Sequence, residues 1–278
     1  MTEDEFIQSA FEEDLGVGDA TCNAILDPNL KGRASLKVKG RGILSGLELG
    51  KRILKYLDSS LIIETYLSDG QEVTYGDVAF EASGSVTSLL KAERLMLNMM
   101  QRMSGIATTT RQYVKEVEGT KAKILDTRKT TPLLRLYEKQ AVIHGGGENH
   151  RFGLFDMIMI KDNHIDFAGG ITPALIKAQE YRETVNPNLK IEIETRSLKE
   201  VLEVLKLGLG DRIMLDNFNI GDTRIAVSEI GERFEIESSG GIDLTTVGQY
   251  ARCGVDYISV GALTHSVKSL DLSFKARI

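Results

Sequence analysis

The stretch KIEIETRSLKEVLEVLKLGLGDRIMLDN, residues 190–217, contains a complete strand–helix–strand unit. Apolar residues run through KIEIETR and stop at Glu194. Ser197-x-x-Glu200 then has the form of a capping box, and SLKEVLEVLKLG closes on Gly208. A second apolar run, DRIMLDN, ends at Asp216. The same grammar extends in both directions from about residue 121. AKILDTRK ends a strand at Asp126, DMIMIKDN ends one at Lys161, FEIESSGG at Ser238 and VDYISVGAL near Gly261. In ITPALIKAQEYR the pattern predicts Thr172 at a helix cap with Pro173 at the first helical position, and LTTVGQYARCG stops at Gly254.

Buried strands alternating with helices predict a parallel sheet covered by helices. Each apolar run is followed by charged, hydroxyl or glycine residues. In β/α barrels the C-terminal strand ends carry the chemistry, so Arg128, Lys161, Glu194, Asp216, Ser238–Gly241 and Gly261 are expected at one mouth. Six strands are legible where a complete barrel has about eight. The expectation is therefore an α/β chain with an open, incomplete β/α barrel. A doubly wound open sheet is the competing architecture, but no GxGxxG follows the first strand to support it.

The first third reads differently. Phe6, Ile7, Ala10, Phe11 and Leu15 share one helical face. ASLKVKG alternates like a strand, LELGKRILKYL is helical, and LIIETYL and VAFEASG are strand-like. A long helix is expected over 88–117, broken near Gly105. This is a separate small α+β unit.

Composition narrows the function. The 278 residues are 42% hydrophobic and 27% charged, with a net charge of −6 that argues against general nucleic-acid binding. No apolar run spans a membrane. MTEDEFIQSAFEEDLGVGD holds seven acids and no lysine or arginine, unlike a targeting peptide. Cys22 and Cys253 lack metal-ligand spacing and are expected as free thiols in a reducing cytoplasm.

Against that acidic background, Arg128, Lys129, Arg135, Lys139, Arg151 and Lys161 gather within 126–164, with His144, His150 and His164, three of the chain's four histidines. Solvated helix faces would account for some of them. Arg128 and Lys161, however, directly follow apolar strands, where barrel geometry turns side chains into the mouth, and arginine suits carboxylates and phosphates. ESSGG (237–241) and SVGAL (259–263) end the last two strands, where barrels bind phosphate with backbone amides; tight turns are the plainer alternative. Glu194 and Asp216 fit either salt bridges or a grip on sugar hydroxyls or Mg²⁺. Glu192, deeper on the same face, competes. HGGGENHRFG (144–153) sets glycines beside these cations, as a mobile loop or as a backbone that approaches an anion.

This constellation resembles the quinolinate phosphoribosyltransferases over nearly the whole chain. EEDLGVGDAT (12–21), ERLMLNMMQRMSGIAT (93–108) and above all DTRKTTPLLRLYEKQAVIHGGGENHRFGLFDMIMIKDNH (126–164) carry the likeness, followed by LDNF and ESSGG. Leu133 stands where a glycine often follows the proline, with no loss of chemistry expected. The resemblance implies an N-terminal α/β sandwich domain (1–108, joined by the tail 265–278) and an open-barrel domain (109–264). It implies transfer of phosphoribosyl from phosphoribosyl pyrophosphate (PRPP) to quinolinate, with decarboxylation to nicotinate mononucleotide in NAD biosynthesis. Arg94, Arg128, His150, Arg151 and Lys161 would hold quinolinate. Ser238, Ser239, Gly240, Gly241 and Gly261 would hold phosphate, with Ser238 and Ser239 not distinguished. Lys129, Lys161, Glu194 and Asp216 would be catalytic, the two acids also binding Mg²⁺ or ribose hydroxyls. A homodimer, capable of further assembly, would place Arg94 in the neighbour's site. The glycines of 145–147 would let the chain turn beneath the site, leaving His144 structural. Three rivals share parts of this pattern: a related protein of molybdenum transport with another acceptor, a non-catalytic ligand-binding barrel, and a phosphate-binding barrel lyase. The intact arginine set, the retained acids and the lack of a second strand-end lysine count against them in turn.

Overall fold

A computed structural model describes residues 2–277; Met1 and Ile278, the outer ends of the expected N-terminal domain, lie outside them. The chain divides into two compact units, one comprising the chain up to Thr109, Ile143–Gly146 and the chain from Val267, the other Thr110–Val142 and Gly147–Ser266.

In the first unit, α1 (Glu3–Leu15) starts on a complete capping box between Thr2 and Glu5, and α2 (Ala20–Ile25) is capped by Asp19. Strands β1 (Lys31–Val38), β3 (Ile62–Thr65), β5 (Val78–Ser85) and β12 (Leu272–Arg277) form an antiparallel sheet in the order β12-β1-β5-β3. The short strands β2 (Gly42–Ile43) and β4 (Glu72–Val73) pair apart from it. The core combines Leu36, Phe80 and Phe274 from the sheet with Ile53 and Leu54 of α3 (Leu47–Leu57) and Met96, Met100 and Met103 of α4 (Val86–Glu116).

Helix α4 runs through Gly105 without the expected break. A side chain at Gly105 would strike the Lys268 carbonyl and Ser269 Cα. The glycine is there for close approach of the returning tail, where Gln101 donates to the Leu272 carbonyl at 2.9 Å and its own carbonyl accepts from Leu270. Residues 143–146, expected within the barrel domain, belong to the first unit because His144 Nδ1 sits 2.8 Å from Ser45 Oγ and 4.0 Å from Asp69.

The second unit is the open barrel. Strands β6 (Lys123–Leu125), β7 (Ile158–Ile160), β8 (Ile191–Thr195), β9 (Arg212–Asp216), β10 (Glu235–Ser239) and β11 (Tyr257–Ser259) form one parallel sheet in the order β6-β11-β10-β9-β8-β7. Its two edges, β6 and β7, are consecutive in sequence. That is a barrel opened between its first and second strands, not a doubly wound sheet, whose order reverses at its middle. A bridge between Leu125 and Glu148 covers part of the β6 edge. The outer face carries Ile191, Ile193, Ile213 and Ile236, all buried.

Helices α5 (Arg135–His144), α6 (Asp162–Ala168), α7 (Ile171–Val185), α8 (Leu198–Leu207), α9 (Ile220–Ile230), α10 (Val247–Ala251) and α11 (Ala262–His265) link the strands. Ser197 caps α8 and Gly208 ends it in the left-handed conformation, as expected; Glu200 returns its carboxylate to the Arg196 amide rather than to that of Ser197. The cap of α7 is Gly170, two residues before Thr172, whose hydroxyl donates to Glu203 of α8 instead. Pro173 still falls in the first turn, where its missing N–H costs nothing.

Leu133 adopts φ +68 and is 73% exposed. A leucine held there, where glycine would rest without strain, costs on the order of 1 kcal/mol. Leu133→Gly is expected to raise stability by about that amount, read as a higher urea midpoint at unchanged slope.

Candidate active site

Strand alternation sorts the residues. Glu192 and Glu194 share the inner face of β8. The ladder carries that face to Arg212, Met214 and Asp216 on β9 and to Glu235, Glu237 and Ser239 on β10. Ser238 lies on the other face: it is buried with no partner for its hydroxyl and does not line the cavity, while Ser239 does.

A cavity of about 830 Å³ opens at the C-terminal ends of these strands. It brings together Arg128, Lys129, His150, Arg151, Lys161, Glu194, Asp216, Ser239, Gly240, Gly241 and Gly261. Ser238 and Arg94 are the members of the expected set missing from it; Arg94 is exposed on α4 in the first unit.

Local structure explains the placement. Lys161 follows β7, its amide donates to His164 Nδ1 at 2.9 Å, and its Nζ reaches Glu194 at 2.9 Å. The Thr264 hydroxyl holds the Lys129 carbonyl at 2.8 Å. Gly240, at φ +94, packs on Asn217 so closely that a Cβ would overlap its amide. Asn217 itself sits at φ +56, which asparagine tolerates. Its backbone donates to the Ser239 carbonyl and its side chain to Asp216, at 2.8 and 2.7 Å. At Gly261 a Cβ would crowd Lys129 and His265, each at 3.1 Å. In the HGGGENHRFG stretch, only Gly146 needs a positive φ; Gly147 is fixed by the proximity of Thr110 and Val142. The glycines are turn and packing residues, and His150 and Arg151 reach the cavity.

Beneath the cavity lies buried charge. Lys139 and Asp126 pair at 2.5 Å, with Asp126 also accepting the His150 amide at 2.8 Å. Burial outweighs the pairing at both, raising the Asp126 carboxyl and lowering the Lys139 ammonium. His150 Nε2 faces Glu192 at 3.0 Å and Glu237 at 3.4 Å, and Arg212 lies 2.9 Å from Glu237. Burial and the neighbouring Glu237 push Glu192 up to about 7. Burial disfavours a charged ring at His150 and the two carboxylates favour one, but the Arg151 amide, 2.6 Å from Nδ1, requires a lone pair there, so the one ring proton lies on Nε2, toward Glu192 and Glu237. Arg151 is lowered by burial and by Arg128.

With the ring neutral, the proton taken up on folding sits on Glu192, whose folded value of about 7 lies above the ordinary 4.5. Its contribution is therefore complete below 4.5 and lost as pH rises through about 7. The melting temperature is expected to fall across that window, with a flatter slope in Glu192→Gln.

Sequence reading missed Glu237, Arg212 and His265. The first two alternate with apolar residues, as solvent-facing positions of a strand also do; their inward register is the signal, and it needs the ladder. His265 follows the last strand with no motif of its own.

Residues 19–104 match the N-terminal domain and 106–275 the C-terminal domain of the family described as quinolinate phosphoribosyl transferase. The chain is 46% identical to quinolinate phosphoribosyltransferase [decarboxylating] 1 of Nicotiana glauca, over 97% of this chain and 81% of that one. It is 42% identical to a probable nicotinate-nucleotide pyrophosphorylase [carboxylating] of Bacillus subtilis, over 95% and 89%. The crystal structure of NadC from Streptococcus pyogenes is similar with a TM-score of 0.93 at 42% identity, covering 98% of this chain and 95% of that one. With both domains matched in order and a basic cavity at the strand ends, the chain belongs to the quinolinate phosphoribosyltransferase family.

Proposed function

We propose that the protein joins quinolinate to PRPP, releasing pyrophosphate and CO₂ and forming nicotinate mononucleotide for NAD biosynthesis. The observation that carries this reading is the convergence, in one cavity, of Arg128, Arg151 and Lys161 with the glycine-rich ends of β10 and β11 and the acids of β8 and β9. The guanidinium groups and Lys161 match the two carboxylates of quinolinate. Ser239, Gly240, Gly241 and Gly261 offer small residues and open backbone to the ribose 5′-phosphate.

As pyrophosphate leaves, the ribose carbon gains positive character that Glu194 and Asp216 stabilise, while Lys129 and Lys161 balance the leaving charge. The resulting pyridinium nitrogen withdraws electrons from the adjacent carboxylate, so CO₂ departs readily. No protein nucleophile is required; positioning carries much of the rate. Glu194 and Asp216 are hard oxygen donors at adjacent strand ends, and they fit Mg²⁺ completed by pyrophosphate oxygens and water. Bound there, the ion would neutralise phosphate charge.

The test follows nicotinate mononucleotide and CO₂ from quinolinate, PRPP and Mg²⁺, with nicotinate as competing acceptor. Equal amounts of both products, from quinolinate only, are expected. Absence of product in folded, PRPP-binding protein would sink the assignment.

Arg94 enters this reading from a second copy of the chain, in a homodimer with shared sites. Arg94→Ala and Lys161→Ala are each expected to be inactive. Mixing them as refolded or exchanged subunits is expected to restore about a quarter of the activity, because half the dimers then hold one intact site. Among the described residues no helix is long and apolar enough to cross a membrane. The two free thiols suit the reducing cytoplasm.

A further inference from the structure

Arg128 and Arg151 approach one cavity although like charges repel, and Arg151 is held below its ordinary value partly by Arg128. The residue between Arg151 and the barrel floor is His150; three of its four polar groups are hydrogen-bonded, and the fourth, Nε2, faces buried carboxylates. Its amide donates to Asp126 Oδ1 at 2.8 Å and its carbonyl accepts from Lys139 Nζ at 3.0 Å. Nδ1 accepts the Arg151 amide at 2.6 Å. Nε2 points down toward Glu192 and Glu237, as charge contacts at 3.0 and 3.4 Å rather than aligned hydrogen bonds. Nδ1 is taken by the main chain, and Nε2 faces two carboxylates that would repel a substrate carboxylate approaching it.

We infer that His150 is a positioning residue: braced on the buried acids Glu192 and Glu237, it holds the Arg151 main chain through Nδ1 and so aims the arginine, without binding the substrate itself. The inference rests on the quinolinate reading above and revises the role expected for His150. Three ligand-type atoms of His150, Glu192 and Glu237 do lie within 4.8 Å of one another. Arg212 already supplies the positive charge there, 2.9 Å from Glu237 and 3.9 Å from Glu192, with its guanidinium 4.0 Å from the Tyr257 ring. A metal ion at that point would sit against a buried guanidinium.

The role separates from direct binding through two variants. The Oδ1 of His150→Asn falls close to the position of Nδ1 and accepts the Arg151 amide, but the side chain has no counterpart to Nε2. His150→Ala does neither. Positioning predicts that His150→Ala raises KM for quinolinate about tenfold, the worth of one hydrogen bond, with KM for PRPP unmoved. His150→Asn is expected to recover most of the loss. Equal losses in both variants would show that the substrate needs the imidazole itself, and would overturn the inference.

A second measurement uses the unsubstituted protein with ¹⁵N-labelled histidine. On titration with quinolinate, the Nδ1 resonance of His150 is expected to keep its acceptor character while main-chain signals around Arg151 shift. Protonation or a large shift of either ring nitrogen on binding would overturn the inference while leaving the activity in place. A protein that neither binds nor turns over quinolinate would sink the acceptor assignment, and the inference with it.

Discussion

Arg128→Ala is expected to lower kcat/KM for quinolinate about 10³-fold while KM for PRPP and the melting temperature stay where they were. A guanidinium gripping a carboxylate makes two charge-assisted hydrogen bonds, and losing both removes about 4 kcal/mol of discrimination. Two features separate this from a folding defect. Arg128 is exposed, so the fold places no weight on it. It also lines the cavity beside Arg151, whose value it helps to lower, so its removal is felt on the side proposed for the acceptor. Arg128→Lys is expected to recover little, because an ammonium group cannot reproduce the planar fork. A loss that fell equally on PRPP and quinolinate would contradict the division of the cavity into an acid-binding and a phosphate-binding side. Steady-state kinetics with each substrate varied in turn makes the distinction.

The second large effect is on stability. Lys139→Met removes the cation paired with Asp126 and leaves a fully buried carboxylate held by the neutral amides of His150 and Asn149. Breaking one half of a buried pair costs about 3–5 kcal/mol, since the remaining charge is uncompensated. Urea unfolding is expected to show a loss of that size. The double variant Lys139→Met/Asp126→Asn is expected to regain a good part of it, because the charge that causes the penalty is gone. Pairing is the reason for the loss only if that recovery is seen. Equal loss in single and double variants would mean that the methionine simply packs badly.

Much of this arrangement was legible from residue order, and the exceptions share a cause. The strands of the barrel announced themselves because each apolar run stops at a polar residue, and at Lys161, Glu194 and Asp216 that residue reaches the cavity. Ser197 and Gly208 marked the ends of α8 because capping is local chemistry. Where tertiary contact decided, sequence reading fell short. Gly105 looked like a break until the tail was seen lying on it. Ser238 and Ser239 are equivalent in composition and differ only in which face of β10 they occupy. Thr172 had the right chemistry for a cap, but Gly170 starts the turn and Glu203 claims its hydroxyl. Glu192, Glu237 and Arg212 form a charged floor inside a barrel, where strand patterning leads one to expect solvent on the polar face. Leu133 is the opposite case: in the sequence a departure from glycine with no loss of chemistry expected, and a strained residue in the fold.

The open seam between β6 and β7 bears on how such a protein changes over generations. Every strand from β8 to β11 is hydrogen-bonded on both sides, so a substitution there disturbs two neighbours. The run from Asp126 to Lys161 instead bridges the gap, held to the sheet at its ends, at Glu148 and through His150 on Glu192 and Glu237. It carries Arg128, Arg151 and Lys161, the residues proposed for the acceptor, together with Lys129, and none of the glycines at the ends of β10 and β11. Acceptor preference can thus drift with this one cassette while those glycine-rich strand ends stay in place.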